Sequence, residues 1–377
     1  MAGSIQDRGN GNYFLTVSNG FDSNGKRIRK TRSIKAKGIT EAREKLAAFV
    51  TEVKQGEYVA PSHIKLKDYV PIWMNERSKK IAPSTIETYG YALNGRILPS
   101  IGHLKMEAIK PIHITNYIYE LEEEGLSSSY VVKHYNILNS IFKLAVKNDV
   151  LKRNPIDKVD RPSVSYKPGD VYDSEELKDL YHLLNKEDNK QMVLIVKLAL
   201  LTGMRKGEIL ALQWDDVDFT TNTIHIRHSL SYTGKLGYLL KEPKTKGSIR
   251  KVAPPKKFMT ELKKHIFSKK TDRMEAEELW KGGKYCFVFS SDMGKPIFPG
   301  VPNLWWNRFL DRTGFKKIRF HDLRHTAATT LINKNANIHS ISKRLGHSSI
   351  KTTLNIYGHY LEEADQKIAD ILDEDYI

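Results

Sequence analysis

Apolar and polar positions alternate near the start of the chain, and this alternation predicts β-strands. In the stretch NYFLTVS, three apolar residues lie two positions apart, namely Tyr13, Leu15 and Val17. This spacing is expected where one face of a strand is buried. Asn24-Gly25 is a strong signal for a hairpin turn, and the stretch KRIRKTRSIKAK, 26–37, predicts the next strand. We therefore expect a small sheet of about three strands here.

Beyond this sheet the period of the apolar residues changes from two to the value of a helix. Leu46, Val50 and Val53 share one face of a predicted helix, and Thr40 is its predicted N-cap. Residues 1–58 are thus predicted to form a small domain in which one helix covers a three-stranded sheet.

Helical periods dominate the second segment, residues 63–155. The stretch PSTIETY predicts a capping box formed by Ser84 and Glu87. A long helix is predicted from Ser128, and its apolar stripe consists of Val131, Tyr135, Leu138, Phe142 and Ala145. This segment is therefore expected to be an all-α domain.

A linker and a third domain are predicted to follow. The stretch NPIDKVDRPSVSYKPGD begins at Asn154, contains three prolines and lacks apolar periodicity, so we place a linker at 156–170. The third domain, 171–377, is expected to open with a helix capped near Asp173. Its apolar run from Met192 predicts a buried helix, and two short strands around the turn at Lys246-Gly247 predict a small antiparallel sheet. The whole chain is expected to be a multidomain α+β protein with a mixed, mainly helical third domain.

The net charge of the chain indicates the class of molecule that it binds. The chain has 377 residues, an apolar fraction of 40%, a net charge of +17 and a pI near 9.5. Such an excess of positive charge favours a polyanion, either nucleic acid or an anionic membrane. The longest apolar run is interrupted by Lys197 and is too short to span a bilayer. We therefore expect a nucleic-acid partner and no membrane.

The cysteine content and the N-terminus predict a location. The single cysteine, Cys286, lies in the apolar stretch YCFVF, which predicts a core position and excludes an internal disulfide. The first residues, MAGSIQDRGNG, lack the apolar core of a signal peptide. Both features favour the cytoplasm.

Two groups of basic residues are candidates for contact with DNA. They are Arg27, Arg29, Lys30 and Arg32 in the predicted strand, and Lys79, Lys80, Lys143 and Lys147 in the helical domain. The alternative for the strand is a solvated edge protected by its charges, but the net charge favours DNA. For the lysines of the helical domain, a DNA contact and an ordinary wet surface both remain open.

Four short motifs in the third domain carry residues that can act on a phosphate. They are TGMRKGE with Arg205, PKTKG with Lys244 and Lys246, HDLRH with His321 and Arg324, and LGHSSIKTTLNIY with His347 and Tyr357. Each motif alone has a structural explanation, such as an ion pair between Arg205 and Glu208 on one helical face. Their joint occurrence in this order needs a different explanation.

The motif HDLRH also raises the possibility of zinc. His321 and His325 are four positions apart, a spacing that suits two zinc ligands on a helix. Asp322, however, is one methylene shorter than the glutamate that a zinc protease uses as its base, and Arg324 would repel a metal ion. We therefore favour phosphate over zinc, and we predict that His325 is a packed or hydrogen-bonded support.

With these four motifs the chain resembles the tyrosine recombinases, the integrases of phages and mobile elements. The resemblance covers essentially all residues and implies an arm-type DNA-binding domain, a core-binding domain and a catalytic domain. It places the catalytic set on Arg205, Lys244, His321, Arg324, His347 and Tyr357, with Tyr357 as the nucleophile. Lys246 is the alternative to Lys244 as the general acid.

The chemistry of a phosphodiester suits this set. Attack on phosphorus gathers negative charge on the non-bridging oxygens, and two guanidinium groups match those oxygens with forked, permanent charges. The resemblance implies that Tyr357 forms a 3′-phosphotyrosyl bond, that His321 accepts the phenol proton, that His347 donates to the phosphate, and that Lys244 protonates the leaving 5′-oxygen. A covalent intermediate stores the energy of the broken bond, so no cofactor and no metal are expected.

The resemblance also implies partners. These are double-stranded attachment sites of core and arm types, an excisionase, a host DNA-bending protein, and three further copies in a homotetramer on a Holliday junction in a bacterial cytoplasm. An apolar stripe in the acidic tail is formed by Leu361, Ala364, Ile368 and Leu372. Folding back onto its own domain is one interpretation, and the resemblance favours docking on a neighbouring protomer. Nearer to the middle of the domain, at least one of Trp305 and Trp306 is expected in the core.

Three alternatives to an integrase remain from the sequence. A type IB-like topoisomerase has the same chemistry but needs no arm-binding domain. A dimer-resolving recombinase similar to the Xer proteins would begin near residue 63. A DNA-binding regulator would keep the same residues without turnover.

Overall fold

The computed structural model describes most of the chain in two compact units, Met1–Tyr166 and Lys167–Ile377. The described residues are 3–21, 25–55, 63–164, 169–242, 248–347, 349–351 and 353–354. Asn24, Lys244, Lys246, Tyr357 and the stripe of the acidic tail lie outside these ranges.

The first unit begins with a three-stranded antiparallel sheet, as the alternating pattern predicts. The strands are β1 (Gly3–Asp7), β2 (Asn12–Phe21) and β3 (Arg27–Lys35), in the order β1-β2-β3. Helix α1 (Ile39–Lys54) covers one face of this sheet. Leu15 and Val17 from β2 pack against Phe49 and Val53 from α1, and this small core explains the alternation.

The predicted N-cap of α1 is wrong. The N-cap is Gly38 rather than Thr40, and glycine has no side chain with which to cap the helix. Instead, Oε2 of Glu41 accepts a hydrogen bond of 2.7 Å from the backbone N–H of Lys37. A carboxylate in the first turn therefore satisfies a donor just before the helix, and it also lies at the positive end of the helix dipole.

The helical part of the first unit has a hydrophobic core of its own. Its α-helices are α2 (Leu66–Ser78), α3 (Pro83–Ala92), α4 (Leu98–Ile101), α5 (Pro111–Glu123) and α6 (Ser128–Lys147), with a π-helical turn at Leu93–Ile97 and 3₁₀ turns at Met106–Ala108 and Pro155–Lys158. All five residues of the predicted α6 stripe are buried. Nε1 of Trp73 in α2 donates to Oγ of Ser140 at 3.0 Å, which fixes α2 against α6.

Two predictions for this part of the chain are wrong in detail. Helix α3 begins at Pro83 with Ala82 as its N-cap, and Ser84 provides no cap. Proline is favoured at the first helical position because its φ is already helical and it has no N–H to satisfy. The predicted linker at 156–170 begins too early, since Ile156 and Val159 are buried in the core of the helical part.

The second unit is mainly helical. Its helices are α7 (Ser174–Asn185), α8 (Lys190–Thr202), α9 (Lys206–Leu210), α10 (Lys256–Ala276), α11 (Val301–Thr313), α12 (Asp322–Asn333) and α13 (Ile338–Leu345), with 3₁₀ turns at Trp214–Asp216 and Glu277–Leu279. Asp173 caps α7 as predicted, and it accepts hydrogen bonds from the N–H groups of Glu175 and Glu176. Helix α8 is buried over nearly its whole length, which confirms the interpretation of the apolar run.

The strands of this unit form two small antiparallel sheets. The strands are β4 (Val217–Asp218), β5 (Thr223–Ile226), β6 (Ser229–Thr233), β7 (Gly237–Lys241) and β8 (Arg250–Val252). The sheets have the orders β4-β5-β8 and β6-β7. The two strands expected around Lys246-Gly247 exist as β7 and β8, but they pair with β6 and β5 rather than with each other.

Aromatic residues hold the helices of this unit together. Trp306 is fully buried and its Nε1 donates to the carbonyl oxygen of Ile318 at 2.8 Å, while Trp305 stacks on Phe309. The expected core role is therefore confirmed for Trp306. Cys286 is only half-buried, so its predicted core position is wrong. Within the described ranges, every helix is too short or too polar to cross a membrane.

Candidate active site

The turn between α8 and α9 carries Arg205 into a cluster of cations. Helix α8 ends on Gly203, whose φ of +68° is in the left-handed region. A Cβ at Gly203 would also lie 2.4 Å from Cδ2 of Leu345, so only glycine fits this position. Arg205 follows as the N-cap of α9. The TG of the motif TGMR is thus explained by the geometry of a helix end.

Glu208 holds two arginines at once. Its Oε1 pairs with Nη1 of Arg205 at 2.9 Å, and its Oε2 pairs with Nη2 of Arg250 at 2.8 Å. The Glu208 and Arg250 side chains are 3% and 7% exposed, whereas that of Arg205 is 41% exposed. The ion pair that offers a structural explanation for Arg205 therefore exists, but it leaves part of the guanidinium open to a ligand.

Arg250 was not foreseen from the sequence. Its Nε donates to the carbonyl oxygen of Arg344 at 2.7 Å, and Nη2 of Arg205 reaches the carbonyl oxygen of Gly346 at 3.3 Å. Together the two arginines hold the C-terminal end of α13. A Cβ at Gly346 would lie 2.7 Å from Nη1 of Arg250, which explains the glycine of LGH.

Arg324 approaches the same turn from α12. It is buried, and its Nη1 donates to the carbonyl oxygen of Gly203. Because Arg205 lies two residues after Gly203, the fold brings the two predicted phosphate-binding arginines to one place. They come from segments that are far apart in the sequence.

Two histidines lie within the field of these arginines. Burial lowers the pKa of His347 to about 4, and the positive charges of Arg324 and Arg205 act in the same direction. The pKa of His321 is also lowered to about 4, first by partial burial of its ring and then by the charges of His325 and Arg324, while the residue keeps an exposed side. Both imidazoles are therefore neutral near pH 7, a state in which each can accept a proton or donate a hydrogen bond.

The remaining residues of HDLRH have structural partners. Oδ2 of Asp322 accepts from Nε of Arg319 at 2.8 Å, and its Oδ1 accepts from Nη2 of the same residue at 2.8 Å. The Asp322 carboxylate is thus used by Arg319 and cannot serve as the base of a zinc protease. The rings of His321 and His325 are nearly perpendicular, with centroids 5.4 Å apart. His325 is half-buried, consistent with a support within the helix.

The basic residues of the first unit fall on different surfaces. On β3, Arg27 and Arg29 are exposed, whereas Lys30 and Arg32 are on the face covered by α1. Lys79, Lys80, Lys143 and Lys147 are all exposed on the helical part. Lys80 pairs with Glu76 at 2.8 Å, and Lys143 lines a basic pocket together with Lys110 and Arg153.

The fold and the site together define an enzyme class that acts on DNA phosphodiesters. The second unit matches the model of the phage integrase family over residues 170–364, and residues 65–121 match the N-terminal SAM-like domain of phage integrases. The chain belongs to the phage integrase family, the tyrosine recombinases, and it is a site-specific DNA recombinase.

Relatives with known names extend over nearly the whole chain. A XerC-like tyrosine recombinase of Caldanaerobacter subterraneus is 30% identical over 97% of this chain and 96% of the relative. The ICEBs1 integrase of Bacillus subtilis is 30% identical over 98% of this chain and 99% of the relative. The solved structure of the Tn1549 transposon integrase with circular intermediate DNA is similar in fold, with a TM-score of 0.69 at 18% identity, and covers 82% of this chain and 100% of that one.

Proposed function

We propose that this recombinase integrates and excises a mobile element, and that Arg205, Lys244, His321, Arg324, His347 and Tyr357 form its catalytic set. The observation that carries the proposal is the meeting of Arg205 and Arg324 at the Gly203 turn, beside two neutral histidines. The match in length to an integrase of a mobile element supports the physiological role.

The reaction that suits these residues is a transesterification. The Tyr357 oxygen attacks phosphorus, the bond to the 5′-oxygen breaks, and a 3′-phosphotyrosyl bond holds the cut strand. The phenol proton passes to His321, and Lys244 gives a proton to the departing 5′-oxygen. A free 5′-hydroxyl from a second duplex then reverses the step, so that strands are exchanged through a Holliday junction without an external energy source.

The two histidines are set up for different roles. Nδ1 of His347 lies 2.7 Å from Oγ1 of Thr353, which leaves Nε2 of His347 to donate to a phosphate oxygen. A neutral His321 has a lone pair available for the proton of Tyr357. The lowered pKa values of both rings are thus consistent with the assigned proton transfers.

The N-terminal sheet is the proposed reader of arm-type sites. Its uncovered face carries Phe14, Thr16 and Ser18 of β2 opposite Ser33, Thr31 and Arg29 of β3. The guanidinium of Arg8 lies 4.4 Å from the centroid of the Phe14 ring on this face. A polar and basic antiparallel sheet of this kind can enter the major groove of DNA.

Assembly and partners complete the proposal. We infer a homotetramer on a Holliday junction, in which the acidic tail of one protomer docks on the next. An excisionase and a host DNA-bending protein would set the direction of the reaction in the bacterial cytoplasm. The contacts of Lys79, Lys80, Lys143 and Lys147 with core-site phosphates belong to the same proposal.

Incubation with a nicked suicide substrate tests the proposed function. The substrate is a duplex that spans the junction of one integrated copy, nicked so that the cut end diffuses away. A recombinase accumulates a covalent protein–DNA adduct and joins strands when an acceptor duplex is added. A DNA-binding regulator gives only reversible, salt-sensitive binding, and a topoisomerase relaxes supercoiled DNA without exchange.

Substitution of Arg205 by lysine tests the need for a forked cation. Arg205→Lys keeps the charge but loses the guanidinium that bridges Glu208, Gly346 and the phosphate. We expect the single-turnover rate of adduct formation to fall by about 10²- to 10³-fold, with a much smaller change in DNA affinity. An unchanged rate would exclude Arg205 from the site, and Arg312→Lys on α11 is the matched control.

The alternation of β3 allows a test of the arm-site proposal. Arg29→Ala should weaken binding to an arm-site duplex by about 10-fold, because Arg29 is on the uncovered face. Arg32 instead pairs with Glu52 at 2.7 Å and lies 4.5 Å from the Phe49 ring. Arg32→Ala should therefore mainly lower the urea midpoint of the first unit. Equal losses of affinity without a loss of stability would contradict this assignment.

A further inference from the structure

A pocket beside the candidate active site is not used by the proposed mechanism. It has a volume of about 340 Å³ and is lined by Lys206, Asn303, Asn307, Arg319, Phe320 and His321. We call it the flanking pocket. It begins where the catalytic cluster ends, because His321 belongs to both and Lys206 is the residue after Arg205.

The lining of the flanking pocket suits an anion. Two of its residues are cations and two are amides, and none of the six is acidic; Arg319 is paired with Asp322, which leaves Lys206 as the cation that we assign to the anion. Asp322, the nearest acid in the sequence, has both carboxylate oxygens hydrogen-bonded to Arg319. Lysine, arginine and asparagine side chains are typical ligands of DNA phosphates.

Lys206 is placed to bind such an anion directly. Its Nζ donates to Oδ1 of Asn303 at 2.9 Å, so within the described ranges its polar contact is a neutral amide rather than a carboxylate. Burial lowers the pKa of Lys206. An ammonium group that has lost part of its hydration, and that is oriented without being neutralised, gains most from an anionic ligand.

The position of the pocket identifies which anion this is. Successive charges along one DNA strand are separated by about 3.4 Å of helix rise. A strand whose scissile phosphate lies against Arg205 and His321 therefore has its neighbouring phosphates close by. The volume of about 340 Å³ leaves room for a phosphate and part of its sugar.

We infer that Lys206, oriented by Asn303, binds the backbone phosphate next to the scissile one and thereby aligns the cleaved strand in the active site. The inference rests on the proposed function, since it assumes a scissile phosphate at Arg205. Lys206 is a positioning residue in this assignment, because it does not touch the reacting atoms. A strand held at two successive phosphates has a fixed direction and path through the site, which aligns the scissile phosphate with the catalytic residues.

A chemical double-mutant cycle tests this inference on the full-length protein. The probe is the junction duplex of an integrated copy, in which the scissile phosphate is first located from the wild-type adduct. Each flanking phosphate of the cleaved strand is then replaced singly by an uncharged methylphosphonate. Affinities of the wild type and of Lys206→Met are measured on the unmodified duplex and on both modified duplexes.

We expect Lys206→Met to bind the unmodified duplex about 10-fold more weakly and to lower the salt slope of log K by about 0.9. One of the two methylphosphonates should cost the wild type a similar factor and cost Lys206→Met nothing further. Asn303→Asp should behave like Lys206→Met, because the new carboxylate would neutralise the lysine. Lys206→Arg should keep the wild-type salt slope, because it keeps the positive charge. This variant serves as the control that a substitution at position 206 does not disrupt the fold.

The control is Lys178→Met on α7, where the lysine is 78% exposed. It makes the same change in charge and should leave the coupling with the methylphosphonate unchanged. If the losses from Lys206→Met and from each flanking methylphosphonate simply multiply, the assignment of Lys206 is wrong, although the adduct still forms. A wild-type protein that forms no adduct would overturn both this inference and the proposed function.

Discussion

Tyr357→Phe is expected to abolish the covalent adduct while DNA binding continues. The substitution removes the only atom of the side chain that can attack phosphorus. Loss of a nucleophile that acts together with its neighbours typically costs about 10⁶-fold in rate, so adduct formation should fall below detection. The phenol carries no charge at neutral pH, and affinity for a core-site duplex should therefore change by less than about twofold.

A second tyrosine close to Tyr357 provides a control for this experiment. Tyr360 is three residues further along the chain, and Tyr360→Phe makes the same chemical change without touching the assigned nucleophile. The adduct is measured by the shift of the protein band on a denaturing gel after incubation with the nicked substrate. Adduct formed by Tyr357→Phe but not by Tyr360→Phe would move the nucleophile to Tyr360.

Glu208→Gln is expected to cause the largest loss of stability among substitutions in the site. The carboxylate is buried and joins Arg205 to Arg250, and Arg250 is itself buried. Removing one partner of a buried ion pair leaves an uncompensated charge and typically costs 3–5 kcal/mol. We therefore expect the free energy of unfolding of the second unit in urea to fall by about 3 kcal/mol or more, and cleavage to slow as Arg205 loses its support.

The pH dependence of this loss has a definite sign. Burial alone would raise the pKa of Glu208, but the hydrogen bonds and charges of Arg250 and Arg205 lower it overall. The ionised carboxylate therefore contributes stability above the pKa of the unfolded chain, and this contribution is lost as the pH falls through the lower folded value. The difference between the wild type and Glu208→Gln should be largest near neutral pH and shrink in acid.

Glu175→Gln on α7 is the matched control for the loss of stability. The Glu175 side chain is 89% exposed, and its partner Lys178 is 3.8 Å away. Exposed pairs of this kind contribute little, so the free energy of unfolding should change by less than about 0.5 kcal/mol. Equal losses of unfolding free energy in Glu175→Gln and Glu208→Gln would show that the ion pairs of Glu208 stabilise the fold no more than an exposed pair does.

Periodic burial is the part of this fold that sequence predicts best. All five residues of the α6 stripe are buried because they recur at the period of the helix and face one core. The alternation of apolar residues identified β2 in the same way, whereas α8 was identified from a continuous apolar run. Burial acts at many positions of one element at once, so a few ambiguous residues do not obscure the pattern.

Helix starts were predicted less well because they depend on single residues. At α3, Pro83 sets its own φ and moves the start of the helix to a position before Ser84. At α1, the Glu41 carboxylate accepts the N–H of Lys37, which makes a side-chain cap at Thr40 unnecessary. In both cases several residues could begin or cap the helix. Which of them does so depends on backbone angles that the amino-acid composition does not determine.

In the candidate active site, residues within short motifs were predicted from the sequence, whereas a residue that depends on a distant partner was not. Motifs identified Arg205, His321, Arg324 and His347, which the fold brings together. Arg250 was missed because its partner Glu208 is 42 positions away. In the sequence, Arg250 is indicated only by its position two residues before Val252. In β8 this spacing places Arg250 on the same, covered side of the strand as the buried Val252. Lys206 and its pocket were likewise invisible, since α9 and α11 meet only in three dimensions.

The two faces of β3 have different roles in the N-terminal domain. Residues on one face support the fold, and residues on the other face can be substituted. Lys30, Arg32 and Ile34 face α1, so replacing them alters folding stability. Arg27, Arg29 and Thr31 face away, and their side chains can be exchanged at little cost to the fold. If the N-terminal sheet reads arm-type sites, as proposed, substitutions at the odd-numbered positions of β3 are expected to change the preferred arm-site sequence, and a library randomised at those positions tests this expectation.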